Sequence, residues 1–346
     1  MRGRKRSQHI VITDRDYGLP YSKGLMASSL SVSGLPAAEA FAIAERIEQK
    51  LLGEHRLEIT SKELRDIAAG FLRERGERYA DSYLKWQTVE ELDVPLVILL
   101  GGATGVGKST VATQLAARLG ITRVVSTDAI REVLRSALSA DLVPSLHVSS
   151  FNADAVAPVA VRNSSDAVLV GFQEQVQAVA VGIKGLIARA LEEGTDIIVE
   201  GAHLVPGFLD GWEEEFKEAV LVPIVMCVGD EDLHRSHFHM RAIETKSRPH
   251  GKYLDAFEKI RLIQDHVNAL AEERGVPVVE VFDLDSTIQE IVSVVVKKTL
   301  GVARAKGDME SNVPRAFSYG DNGEVVRKGR LSRVKHWEVL GRRRHS

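Results

Sequence analysis

The residues from Gly102 to Thr110 read Gly-Ala-Thr-Gly-Val-Gly-Lys-Ser-Thr, a complete G-x-x-x-x-G-K-S phosphate loop. Each residue type answers a need of anion chemistry. Glycines at 102, 105 and 107 let successive backbone N–H groups fold into a concavity, and the helix that follows adds the positive end of its dipole. In this reading Gly102, Ala103, Thr104, Gly105, Val106, Gly107 and Thr110 cradle the phosphates of a nucleoside triphosphate. Lys108 reaches the β- and γ-phosphates and the Ser109 hydroxyl ligates Mg²⁺. The expected cofactors are ATP and Mg²⁺.

Three further groups of residues carry chemistry. Asp128 follows a strand pattern and precedes Arg131 and Arg135 at three and seven residues, on one helical face with it. A carboxylate that orients a hydroxyl proton, beside two guanidiniums that hold an anion, suits phosphorylation of a small acidic alcohol. The plainer reading has Asp128 capping the helix and the arginines forming a solvated face. Glu200 ends another apolar run and enters Gly201-Ala202-His203, where it suits a residue that holds a Mg²⁺-bound water or polarises the acceptor hydroxyl. His203 fits contact with the transferred group and equally fits a satisfied polar residue near a turn. The stretch from Asp230 to Lys252 is the most basic in the core, with Arg235, Arg241, Lys246, Arg248 and Lys252. It is expected as a mobile lid, in which Arg241 and Arg248 neutralise charge on the transferring phosphoryl group. His234, His237 and His239 raise zinc as an alternative, but no cysteine or carboxylate stands at ligand spacing.

These groups need a scaffold. From Asp93 onward strand and helix patterns alternate, which predicts a parallel sheet covered on both faces. Strands are expected at Leu96–Leu100, Thr122–Ser126, Asp196–Glu200, Ala219–Val228 and Val276–Phe282, and helices include Gly171–Glu193 and Tyr253–Arg274. Ahead of this core, His9–Thr13 is a short strand candidate. Ser22–Ser31, Ala37–Leu52 and Lys62–Arg75 carry apolar residues at helical spacing, as in Phe41, Ala44, Ile47 and Leu51, with a helix cap at Thr60 or Ser61. The domains expected are a basic tail at 1–8, a mainly helical unit at 9–90, a catalytic core at 91–302 and a basic extension at 303–346.

Composition narrows the class. The net charge of −3 hides a split: the segment after Val302 holds eleven Lys/Arg against five Asp/Glu, which leaves about −9 for the remainder. That tail reads as a solvated extension with one hairpin at Gly320–Gly323, or as a contact for nucleic acid or another polyanion. The single cysteine, Cys227, excludes an internal disulfide. No apolar run reaches the ~18 residues of a membrane span and the first residues lack a signal-peptide core, so a cytoplasmic protein is expected, with a homo-oligomer as an open option.

Several motifs outside the phosphate loop carry a resemblance. RVVSTDAIREVLR, PSLHVSSFNA, GFQEQVQAV, DIIVEGAHLVPG and RLIQDHV, together with GGATGVGKST, closely resemble the 2-phosphoglycerate kinase family over roughly 200 residues. The resemblance implies an α/β fold, a P-loop kinase core with a five-stranded parallel sheet flanked by helices. It implies transfer from ATP to 2-phosphoglycerate, a small phosphorylated acid, giving 2,3-bisphosphoglycerate. It also makes His147, Ser149 and Ser150 substrate-side, beside Asp128, Arg131, Arg135, Glu200 and His203. Residues 15–86, from RDYGLPYSKGLMASSL to YADSYLKW, resemble an ATP-cone, with Arg15, Asp16 and Lys23 as candidates for its nucleotide. A plain helical cap or dimerisation domain fits the same composition. The rival functions are a kinase of another alcohol or a polynucleotide end, and a regulator that binds ATP without turnover.

Overall fold

The computed structural model describes residues 9–13, 18–92, 94–162, 166–244 and 251–305, and the strands at 318–319 and 325–326. The chain divides into two compact units, the first Met1–Leu92 with Ala117–Gly120, the second Asp93–Ala116 with Ile121–Ser346.

In the first unit, β1 (Val11–Ile12), β2 (Leu19–Pro20) and β3 (Glu58–Ile59) form a small sheet, and α1 (Lys23–Ser31), α2 (Ala37–Gly53), α3 (Ser61–Arg75) and α4 (Glu77–Glu91) supply the mass. The cap falls on Thr60: its hydroxyl accepts from the Glu63 N–H while the Glu63 carboxylate accepts from the Thr60 N–H. Ala40, Ile43, Ala44, Ile47 and Leu51 form the buried stripe of α2. Phe41, counted on that stripe from sequence, is 46% exposed, because the 100° step per residue carries it off the face that Ala40 and Ala44 hold. Lys23 is engaged by Glu48 at 3.2 Å and Glu45 at 3.8 Å. Arg15 and Asp16 lie outside the described residues.

The second unit is built on five parallel strands in the order β5-β6-β4-β7-β8: β4 (Leu96–Gly101), β5 (Val124–Ser126), β6 (Ile197–Glu200), β7 (Val220–Cys227) and β8 (Val278–Glu280). Every residue of β4 and β6 is buried, as the unbroken apolar runs require of strands covered on both faces. One face packs Val97, Leu99 and Val199 against Ile183 and Ile187. Burying an aliphatic side chain of this size contributes about 2 kcal/mol relative to exposure. The covering helices are α5 (Lys108–Leu119), α6 (Thr127–Ala137), α7 (Ala167–Glu192), α8 (Trp212–Glu215), α9 (Glu231–Glu244), α10 (Gly251–Asp255), α11 (Phe257–Glu273) and α12 (Leu284–Ala305), with 3₁₀ segments at Pro144–His147 and Ser150–Val156. Among the described residues no helix is long and apolar enough to cross a membrane.

Two expected elements differ. The segment expected as a lid begins as helix α9, whose N-terminus is closed by Asp230: the Leu233 N–H donates to its carboxylate at 2.9 Å. The helix expected from Tyr253 is two helices that meet at Ala256. α12 also runs to Ala305, past the expected boundary at 302, and buries Ala303. Beyond it, β9 (Ser318–Tyr319) pairs antiparallel with β10 (Val325–Val326), while the turn residues expected between them lie outside the described residues.

Candidate active site

The parallel register fixes where chemistry can happen. Leu100 stands beside Glu200 and Ser126 beside Glu200 on its other edge, so the carboxyl ends of β4, β6 and β5 meet in one row. The phosphate loop leaves β4 at that row. At Gly102, with φ +131°, a methyl group would collide with the Met226 carbonyl oxygen, so only glycine lets the loop turn away so close to β7. α5 opens directly on Lys108, which is 8% exposed, and its Nζ donates to the Ala103 carbonyl oxygen at 2.7 Å. The ammonium is thus held inside the loop that must cradle the phosphates.

The Ser109 hydroxyl donates to Oε1 of the buried Glu200 at 2.9 Å. Two oxygens from separate elements converge at the phosphate-binding end of α5, a donor set that suits Mg²⁺. This hard cation takes one or two protein oxygens and fills its octahedron with nucleotide oxygens and water. Two of the three α9 histidines are turned to the phosphate loop's backbone. Nε2 of His234 and Nδ1 of His237 are directed at the carbonyl oxygens of Thr104 and Gly105, each at 2.9 Å.

Asp128 sits in the first turn of α6 with its side chain 75% exposed. It is not the cap, for Ser126 takes that role: the Asp128 N–H donates to the Ser126 hydroxyl at 3.2 Å. The Asp128 carboxylate pairs with Arg131 at 3.5 Å. Arg131 is only 15% exposed, and its Nη1 donates to the carbonyl oxygens of Leu146 at 2.9 Å and Val148 at 3.3 Å. Part of this guanidinium therefore holds the loop at 146–148 in place.

A cavity of about 570 Å³ opens beside it, with Arg131, Arg135, His147, Ser149, Lys252 and Lys259 among its walls. Four cations face two carboxylates there, Glu132 and Asp154. Arg135 pairs with Glu132 at 2.6 Å and Lys259 with Asp154 at 2.7 Å, while Lys252 donates to the Ser149 hydroxyl at 3.0 Å. The structure thus gathers four residues expected at the acceptor, Arg131, Arg135, His147 and Ser149. Ser150, Glu200 and His203 do not line the cavity, and neither does Asp128, which adjoins it through Arg131. Arg241 belongs to α9 with its side chain outside the described residues, where Lys246 and Arg248 also lie.

His203 requires a correction. It is 1% exposed with both ring nitrogens engaged: Nδ1 lies 2.8 Å from the Thr127 hydroxyl and Nε2 3.0 Å from Oε1 of Gln175. Burial, outweighing the attraction of the Asp128 charge, pushes its pKa down to about 4, so the ring is neutral and both its nitrogens are already engaged. It serves instead to tie the start of α6 to α7. From there Nε2 of Gln175 donates to the carbonyls of Ser145 and, at 3.0 Å, Val148. The same loop is therefore held by Arg131 and by Gln175. Gln175 escaped the sequence reading although it interrupts a buried stripe of Val168, Phe172, Val176 and Val179, where a lone amide is a signal of a buried polar contact. Lys259 had no such signal, since a lysine in the first turn of an amphipathic helix looks like any solvated residue.

Comparison with known proteins adds an independent finding. A family model described as an AAA domain matches residues 97–260. The 2-phosphoglycerate kinase of Thermococcus kodakarensis is 40% identical over 292 residues, covering 84% of this chain and 98% of that protein. That of Methanopyrus kandleri is 38% identical over 304 residues, covering 88% and 90%. That of Pyrococcus furiosus is 37% identical over 299 residues, covering 86% and 96%.

Proposed function

As this chain belongs to the 2-phosphoglycerate kinase family, we propose that it transfers the γ-phosphoryl group of ATP to the free hydroxyl of 2-phosphoglycerate, giving 2,3-bisphosphoglycerate and ADP. The chain is an ATP-dependent phosphotransferase with an alcohol group as acceptor, which removes the reading as a regulator without turnover. The observation that supports the acceptor is the cavity where Arg131, Arg135, Lys252 and Lys259 face two carboxylates. A ligand with a carboxylate and a phosphate on adjacent carbons brings the negative charge that such a net-positive cavity lacks.

In the proposed reaction the acceptor oxygen forms a bond to the γ-phosphorus as the bond from that phosphorus to the β-bridging oxygen breaks. The hydroxyl proton passes to the Asp128 carboxylate, which the Arg131 guanidinium keeps oriented at 3.5 Å. Lys108 holds the β- and γ-phosphates and stabilises the charge that gathers on the transferring group. Ser109 and Glu200 would hold Mg²⁺, which would supply positive charge against the phosphates. His203 and Gln175 keep α6 and the acceptor loop in register, and Arg135 with the cavity lysines binds the acceptor anions.

The test is phosphoryl transfer followed by ³¹P NMR with 2-phosphoglycerate, 3-phosphoglycerate, glycerate and a 5′-hydroxyl oligonucleotide as acceptors. A second phosphomonoester signal on 2-phosphoglycerate, with stoichiometric ADP, is expected. ATP turnover independent of any phosphoglycerate, or transfer to the oligonucleotide instead, would sink the assignment. We also read residues 9–90 as an ATP-cone-like unit, which binding of ATP to that unit within the full chain would test after the phosphate loop is disabled.

A further inference from the structure

Two imidazoles from one side of α9 grip the tip of the phosphate loop. Nε2 of His234 lies 2.9 Å from the Thr104 carbonyl oxygen and Nδ1 of His237 lies 2.9 Å from that of Gly105. A carbonyl oxygen only accepts, so each of these nitrogens carries the proton. His234 is therefore the Nε2–H form and His237 bears N–H at Nδ1. The spacing of three residues puts both rings on one helical face. Phe238, next on that face, fills the remaining space: a side chain at Gly105 would run into its ring.

His234 is fully buried, stacked on Phe238 with centroids 5.4 Å apart and edge-on to Phe257 at 5.5 Å. Its Nδ1 is buried without a hydrogen-bond partner among the described residues. An orphaned acceptor is a cost that an apolar side chain in the same pocket would avoid. What the imidazole supplies in return is an N–H aimed at the Thr104 carbonyl.

The two carbonyls matter because each shares a peptide plane with an N–H of the nest. The plane that carries the Thr104 oxygen carries the Gly105 N–H, and the plane that carries the Gly105 oxygen carries the Val106 N–H. In a trans peptide the two point opposite ways. Holding both oxygens toward α9 holds both N–H groups toward the concavity where phosphate oxygens bind. Gly105, at φ +93°, has no side chain to restrain these planes, so the restraint must come from outside the loop.

We propose that His234 and His237 are positioning residues for the nucleotide phosphates, acting through the Thr104–Gly105 and Gly105–Val106 peptides. The inference rests on the nucleotide reading of the phosphate loop and extends it to two residues that no phosphate-loop motif contains. The same helix face reaches the acceptor side through Phe238 stacked on Tyr253 at 5.3 Å and Tyr253 against Phe151 at 5.6 Å. The acceptor therefore has to be measured beside the nucleotide, to separate a local hold on the loop from a general loosening.

The experiment compares His237→Ala with His237→Asn, whose amide N–H occupies the place of Nδ1–H, and His234→Leu with His234→Gln, whose amide reaches the place of Nε2–H. Binding of MgADP by calorimetry, KM for ATP, KM for 2-phosphoglycerate and thermal melting are read for each full-length variant. His237→Ala should weaken MgADP binding and raise the ATP KM about 5–10-fold, the usual worth of one such bond, with the acceptor KM within twofold. His237→Asn should restore most of the loss, and His234→Gln should exceed His234→Leu in nucleotide affinity. If His234→Leu does not fold, the partly exposed His237 pair decides alone. Nucleotide affinity within twofold of wild type in a folded His237→Ala, or equal losses in Ala and Asn, overturns the inference while the kinase assignment stands. Failure of the unaltered protein to bind MgADP at all overturns the nucleotide reading and the inference with it.

Discussion

The hydroxyl of Ser109 donates to Oε1 of Glu200 at 2.9 Å, joining the first turn of α5 to the carboxyl end of β6 across ninety-one positions of sequence. Replacing Glu200 by Gln keeps the shape and an acceptor for Ser109 but removes the charge that a divalent cation needs. The Mg²⁺ concentration for half-maximal turnover should rise at least about tenfold, as expected for loss of an anionic oxygen ligand. Calorimetry of MgADP, against ADP with EDTA, should show the loss only when Mg²⁺ is present. An unchanged Mg²⁺ requirement would remove Glu200 from the metal site.

Lys108→Ala and Asp128→Asn separate nucleotide from acceptor chemistry. Lys108→Ala should abolish nearly all turnover with the melting temperature preserved, since the ammonium acts on charge that develops in transfer. Asp128→Asn leaves the Ser126 cap intact, so the fold should not notice. Turnover should fall roughly 10²–10⁴-fold while the ATP KM stays near wild type. Near-wild-type turnover in Asp128→Asn would show that the carboxylate handles no proton.

Arg131 and Arg135 should part company. Arg131 is committed to the Leu146 and Val148 carbonyls, so Arg131→Ala should raise the acceptor KM and also cost stability, on the order of 1–3 kcal/mol for the partners left behind. Arg135→Ala, paired only with Glu132 among the described residues, should raise the acceptor KM with little change in melting. Equal melting temperatures for the two variants would show that the Arg131 contacts hold nothing.

Acid should weaken the fold through its buried imidazoles. Burial holds His203 and His234 at about 4, against about 6.5 in the unfolded chain. Between pH 6.5 and 4 the unfolded chain takes up protons that the folded protein refuses, so this stability is complete above about 6.5 and is lost as pH falls through the window. Each ring contributes at most on the order of 3 kcal/mol. Urea unfolding of wild type and His203→Gln should show a gap that is widest above pH 7 and narrows toward pH 4.5. Parallel curves would mean that His203 titrates in the folded state as it does in the unfolded chain.

What the sequence determined is what depends on neighbours along the chain. The phosphate loop is local, because its glycines, lysine and serine act through backbone geometry within nine residues. The Thr60 cap spans three residues, and the parallel sheet is written in unbroken apolar runs, since strands covered on both faces leave no alternation to read. Asp128, Arg131 and Arg135 were legible as candidates because chemistry-bearing types stood at the end of such a run, whereas His147 and Ser149 came only from the family resemblance. Tertiary structure decided everything that depends on partners far away in sequence. Arg131 reads as a free cation until α6 packs beside residues 144–148 and most of its donors are taken. His203 reads equally as a site residue or a satisfied polar one until Thr127 and Gln175 engage its two nitrogens. His234 and His237 have no assigned role in the sequence, and only packing shows that their N–H groups find carbonyls 130 and 132 positions away. Spacing along a helix fixes only which residues share a face. The groups that face meets are set by packing, and in a dry interior those groups decide which proton, charge or donor a side chain has left to use.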